Sequence, residues 1–164
     1  MPAKLSLRLR PITPEDEPFL LRLFASTRAD ELALTNWSEE QKVAFCRMQF
    51  TAQSAHYQKH YGDASFDIIE RSGVAAGRLL VWRSGKEMLI VDIALLPEHR
   101  GAGLGTNLLR ELQEEAKEAG KPLTIHVEKY NPALRLYERL GFQRIEEQPV
   151  YLLMEWRPPF PLSS

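Results

Sequence analysis

Leu5, Leu7 and Leu9 alternate with Ser6, Arg8 and Arg10, a period-two pattern that predicts a first strand closed by Pro11. The pattern then changes. In Thr13-Pro14-Glu15-Asp16 a threonine can cap, a proline suits the first helical position and the acids suit the positive helix end. Leu20, Leu23 and Phe24 supply the buried stripe of that helix. A polar stretch at 29–37 leads to Ser38-Glu39-Glu40-Gln41, which has capping-box spacing. Ala44, Phe45, Met48, Ala52 and Ala55 share one face of the second helix, which fades near Tyr61-Gly62-Asp63.

Strands follow at 66–70 and 76–83, around the hairpin signal Arg71-Ser72-Gly73-Val74. Residues 87–95 have almost no polar face, which predicts a central strand covered on both sides. After a loop at 97–103, Leu104, Leu108, Leu112 and Ala116 recur at four-residue steps, and Gly120 is the stop signal. Leu123, Ile125 and Val127 mark another strand. Asn131-Pro132 starts a short helix that Gly141 ends, and strands near 143–147 and 150–156 close the chain. The order β-α-α-β-β-β-α-β-α-β-β, with no repeat or internal linker, predicts one mixed α/β domain over 1–157 and an irregular Pro-rich tail at 158–164.

The chain has 164 residues, 44% of them hydrophobic and 26% charged, enough for a core without metals or disulfides. Its 21 basic and 22 acidic residues argue against a protein built to grip nucleic acid. Its apolar runs are too short to span a membrane, and the N-terminus is not a signal peptide. A single cysteine, Cys46, excludes an intrachain disulfide and Cys-rich zinc sites, and fits a reducing, cytoplasmic setting.

The informative segment lies between the apolar strand and the strong helix: Leu95-Leu96-Pro97-Glu98-His99-Arg100-Gly101-Ala102-Gly103-Leu104-Gly105-Thr106. Helix-start amides lack internal partners, and glycines let an anion approach the backbone, so the arrangement reads as a phosphate cradle or as a plain glycine-rich turn. Neither the P-loop nor the dinucleotide-binding spacing fits. Arg100-Gly101-Ala102-Gly103-Leu104-Gly105 resembles the Arg/Gln-x-x-Gly-x-Gly/Ala acyl-CoA motif of the GNAT N-acetyltransferases, and 93–99 resembles that family's fourth strand and the loop after it. Asn131-Pro132-Ala133-Leu134-Arg135-Leu136-Tyr137-Glu138-Arg139-Leu140-Gly141-Phe142 is similar to the family's second signature.

The resemblance implies a single mixed, mainly antiparallel sheet of about seven strands with flanking helices, splayed between the fourth and fifth. It implies acetyl-CoA as co-substrate. The pyrophosphate would rest on Arg100, Gly101, Ala102, Gly103, Leu104, Gly105 and Thr106. The pantetheine arm would pair with the backbone of Ile93, Ala94 and Leu95, and Asn131 would add a contact. The implied reaction is direct attack of a primary amine on the thioester. A lysine-like amine must first be neutralised, at a cost of about 4.6 kcal/mol at pH 7. Tyr137 matches the family tyrosine placed to protonate the leaving thiolate. On periodicity alone it would be a core aromatic. His126 and Asp92 are the candidate bases. His126 interrupts an apolar strand, where it could also be a satisfied core histidine. Asp92 could orient His126 or bond a nearby arginine.

Gln53, His56 and Tyr57 on the second helix are the expected acceptor contacts, and no metal is expected despite His56 and His60 standing four apart. Cys46 is expected to pack with Phe45 and Met48. The acceptor would be a small-molecule amine or a protein N-terminus, without nucleic acid or membrane, and a homodimer is open. A catalytically weak CoA-binding module acting as a sensor or assembly partner is the alternative.

Overall fold

In the computed structural model, residues 7–159 are described. The first strand, β1 (Leu7–Pro11), pairs antiparallel with β2 (Ser65–Arg71), Leu9 opposite Ile69. Leu5 and Ser6 of the expected strand, and 160–164 of the expected tail, lie outside the described residues. A short 3-10 turn, Pro14–Asp16, leads into α1 (Glu17–Ala33). Leu20, Leu23 and Phe24 are buried, as the stripe predicts. The helix runs five residues into the stretch read as polar linker. Leu32, at 8% exposure, belongs to a core cluster with Phe24 and Cys46 and carries the helix on.

The second helix, α2 (Glu39–Tyr61), starts on the capping box: Gln41 N donates to Ser38 Oγ (3.1 Å) and Ser38 N donates to Gln41 Oε1 (2.8 Å). Its inner face differs from the expected one. Met48 is 59% exposed and Ala44, Ala52 and Ala55 are exposed, whereas Cys46 is buried and Gln49, Phe50, Gln53 and Tyr57 are half-buried. Cys46 packs with Phe24, Leu32, Phe45 and Phe50 instead of Met48. Burial pushes its thiol pKa up, which disfavours the nucleophilic thiolate.

A two-residue turn with positive φ at Ser72 (50°) and Gly73 (80°) joins β2 to β3 (Val74–Arg83), the geometry that matches strand twist. The strand β4 (Met88–Leu95) follows a turn in which Ser84 N donates to Glu87 O. Only its first three residues are buried; Val91 to Leu95 are half-buried, so the expected cover on both sides is incomplete. Then come α3 (Leu104–Ala119), ended by left-handed Gly120, β5 (Leu123–Glu128), α4 (Leu134–Arg139), β6 (Gln143–Glu147) and β7 (Tyr151–Trp156). All four leucine and alanine positions predicted for the inner stripe of α3 are buried.

The seven strands form one sheet in the order β1-β2-β3-β4-β5-β7-β6. The pairing of β4 with β5 is parallel and stops at Ile90↔Ile125, while β4 runs on to Leu95. The chain forms two compact units. One holds the described residues up to Leu80 together with Asp92–Ala102; the other holds Val81–Val91 and the described chain from Gly103 on.

Candidate active site

The loop after β4 is built from local bonds. Leu96 N donates to Ala76 O of β3 (2.9 Å), and a 3-10 turn covers Pro97–His99, with Arg100 N donating to Pro97 O (3.2 Å). Arg100 Nε donates to Leu95 O (3.1 Å) and ties the loop to the strand it leaves. Gly101 (φ 78°) and Gly103 (φ 79°) are both left-handed, where any other residue is strained. A Cβ at either would meet nothing within 4 Å, so open space surrounds both.

Gly103 is the N-cap of α3, and its carbonyl accepts from Asn107 N (3.0 Å). The contrast with α2 is chemical. The start of α2 has a closed capping box and two acids in its first turn; the start of α3 has no side-chain cap and no acid there. Among the described residues, the amides of Leu104, Gly105 and Thr106 have no hydrogen-bond acceptor. Unsatisfied amides, a positive helix end and open space beside left-handed Gly103 are the features by which a helix start can hold an anion.

Along β4, β3 comes close enough that a Cβ on Gly77 would stand 2.1 Å from Ala94 O. Ile93, Ala94 and Leu95 are half-buried. Arg78 of β3 is 7% exposed. Its Nη2 donates to Gln53 Oε1 of α2 (2.5 Å) and to Asp92 Oδ2 of β4. Its guanidinium carbon lies 5.9 Å from the centre of the Tyr57 ring. Three sequence candidates, Gln53, Tyr57 and Asp92, are thus gathered by an arginine the sequence reading passed over. The reading of Asp92 as a carboxylate bonded to a nearby arginine is the one realised. The signal was present: Arg78 is the one charge in the buried stretch 76–81 of β3, Asp92 the one charge of β4, at similar distances from the Ser84–Glu87 turn. His56 is exposed and lies beside His60, the rings tilted by 48° with centres 4.4 Å apart. Among the described residues, no group of three or more His, Cys, Asp or Glu could hold a metal.

In the second unit, His126 is exposed between buried Ile125 and Val127, so it is not a core histidine. Its exposure begins where pairing with β4 has ended. Tyr137 is 4% exposed on α4, its ring edge-on to Phe142 at 5.8 Å. Asn131 Oδ1 accepts from Ala133 N (2.8 Å), so that oxygen caps the turn into α4. Gly105 lets α3 approach α4, with Leu136 Cδ2 3.8 Å from where its Cβ would be.

A protein of Bacillus subtilis named for alanine N-acetylation of ribosomal protein bS18 is 37% identical over 82 residues, 49% of this chain and 54% of that protein. The ribosomal protein bS18-alanine N-acetyltransferase of Haemophilus influenzae is 36% identical over 66 residues, 40% of this chain and 45% of that protein. The chain therefore spans about half the length of these curated relatives. The fold is shared with the PaiA N-acetyltransferase of Thermoplasma acidophilum, solved in complex with coenzyme A: the TM-score is 0.69 at 19% identity, over 93% of this chain and 99% of that one. Residues 27–142, more than half of the chain, match the family model described as the acetyltransferase (GNAT) family, and the chain belongs to that family.

Proposed function

We propose that the chain is an N-acetyltransferase that uses acetyl-CoA and acetylates the α-amine of a protein N-terminus, in a reducing, cytoplasmic setting. The observation that carries the reading is the start of α3, where unpartnered amides and left-handed Gly103 face open space with no acidic side chain in the helix's first turn. These groups fit a pyrophosphate. Gly101, Ala102, Gly103, Leu104, Gly105 and Thr106 would hold it, while Ile93, Ala94 and Leu95 would offer β4 backbone to the pantetheine arm. In this structure the Leu95 carbonyl is engaged by Arg100, so Arg100 serves here to hold the loop. When bound, acetyl-CoA supplies the acetyl group and the thiolate leaving group.

The chain's own residues supply proton handling. A protein α-amine with a pKa of about 8 needs only about 1.4 kcal/mol to be neutral at pH 7, against about 4.6 for a lysine-like amine. An exposed imidazole suffices for that small step. The His126 ring, which makes no hydrogen bond among the described residues, is the base in this reading. Tyr137, held by Phe142, is the donor to the leaving thiolate, and Asn131 shapes the turn that presents α4. The names of the two ribosomal-protein relatives support the choice of a protein N-terminus.

The test is titration calorimetry with acetyl-CoA and CoA, followed by transfer to an N-terminal alanine peptide read by mass spectrometry. Micromolar binding is expected, abolished in Gly103→Glu, whose carboxylate would occupy the open space and repel an anion. Folded protein that binds neither species would refute the reading.

A further inference from the structure

The array around Arg78 has features that strand-to-strand packing does not require. The guanidinium is more than nine-tenths buried, one of its nitrogens serves both Gln53 and Asp92, and its Nε is buried without a partner. Buried donors are ordinarily satisfied, so an unpaired one beside an ion pair marks a place prepared for something else. The carboxylate of Asp92 is 19% exposed. Its Oδ2 is taken by Arg78, whereas Oδ1 has no hydrogen-bond partner among the described residues and is not fully buried, so it keeps some access to solvent. Gln53 and Tyr57 supply the α2 wall of the same array.

We propose that this array is the acceptor anchor: Asp92 Oδ1 takes an N–H of the incoming amine, and Arg78 is the positioning residue that fixes Asp92 against Gln53. The proposal rests on the acetyltransferase reading and deepens it. It also sets a substrate class. Arg78 is already matched by one carboxylate, so the array is electroneutral. A second carboxylate next to the amine, as in a free amino acid, would put two anions on one buried cation. An acceptor whose amine neighbours an uncharged carbonyl meets no such penalty. Peptide N-termini and amino-acid amides belong to this class.

The experiment compares alanine amide, an alanyl peptide and free alanine as acceptors for wild type, Arg78→Gln, Arg78→Lys and Asp92→Asn. CoA affinity and unfolding midpoints are measured on every variant. Wild type is expected to favour alanine amide over free alanine at least 10-fold in kcat/KM. Arg78→Gln and Asp92→Asn are expected to raise KM for the amide at least 10-fold with kcat changed less than 3-fold and CoA affinity intact. Arg78→Lys, which restores the charge but not the fork, should recover part of the loss. A folded Arg78→Gln or Asp92→Asn enzyme with unaltered KM overturns the anchor while leaving the acetyltransferase reading standing, as does equal use of free alanine. If wild type binds CoA yet acetylates none of the three, calorimetry with alanine amide decides separately. Amide binding weakened in Asp92→Asn keeps the anchor and refutes the transferase reading; no amide binding removes the anchor as well.

Discussion

Gly77 is the position where the fold and the proposed cofactor edge meet in one atom. A Cβ there would stand 2.1 Å from Ala94 O, 2.9 Å from Leu95 Cδ2 and 3.1 Å from Ala94 C. Real Cβ atoms essentially never come within 3.0 Å of a neighbour, so in Gly77→Ala the backbone at Ala94 must retreat by about 1 Å. The obstacle is a carbonyl in a paired strand, which yields less easily than a side-chain tip. Overpacking of this kind costs about 1–3 kcal/mol, or a melting point lower by roughly 3–10 °C in a chain of this size. The functional effect should be comparable to the stability effect. Ala94 lies in the stretch proposed to pair with the pantetheine arm, and a displacement of 1 Å can cost as much as about 100-fold. Gly73→Ala is the matched control. Its φ of 80° imposes a comparable strain in the hairpin turn, with nothing within 4 Å of the new Cβ. Thermal unfolding and CoA calorimetry should show both variants destabilised but only Gly77→Ala weakened in CoA affinity, by at least 10-fold. Gly77→Ala with wild-type melting and wild-type affinity would refute the reasoning at both levels.

Two further outcomes follow from side-chain geometry. Asp16 accepts from Arg10 Nη1 (2.9 Å), Arg10 Nη2 (2.8 Å) and Thr13 N (2.8 Å), and the Arg10 guanidinium holds its carboxyl down to about 2 from an ordinary 3.8. A folded-state pKa below the unfolded one stabilises above the unfolded value and is lost as pH falls through the folded one. Asp16→Asn should therefore cost about 1–2 kcal/mol at pH 7, discounted because Arg10 is partly exposed, and the gap should close between pH 4 and 2 in urea unfolding. The same deficit at every pH would show that the carboxylate's charge is not what matters. Tyr137→Phe removes only the hydroxyl of a buried ring and should lower kcat at least 100-fold while CoA affinity stays within 3-fold, measured by thiol release; an unchanged kcat would return Tyr137 to a packing role.

The order of elements was legible because period, caps and turns agreed locally. Ser38 and Gln41 form the box their spacing predicts, and Ser72-Gly73 takes the two positive φ values of a tight hairpin. Less legible was anything that depends on which neighbour a face meets. On α2, a count of apolar residues selects Ala44, Phe45, Met48, Ala52 and Ala55. The helix turns Gln49, Gln53 and Tyr57 inward, toward a partly polar environment that includes a buried arginine. A hydrophobicity rule cannot anticipate that, because it scores glutamine as outward wherever it stands. The same limit explains Ala29–Ala33: Asp30 and Glu31 read as linker, and only Leu32 reaching the Phe24–Cys46 cluster shows why the helix continues.

At the site, the glycine motif could be read because its chemistry lies in consecutive backbone atoms, and the φ values of Gly101 and Gly103 depend on little beyond the loop itself. Asp92 shows the opposite case. A carboxylate in an apolar strand announces that it has a partner but not which one, and the sequence offered either an imidazole or an unspecified arginine or backbone group. The partner follows from where β3 lies beside β4, which places Arg78 against Asp92 and fills one carboxylate oxygen. A group so engaged is better suited to grip than to accept a proton. The proposed reading therefore gives the base role to His126, whose ring has no hydrogen-bond partner among the described residues and stands exposed just past the last residue of β5 that pairs with β4. The division of labour between the two candidates thus rests on two features of the sheet, the packing of β3 on β4 and the early end of pairing between β4 and β5, and neither is written in the residues at 92 or 126 themselves.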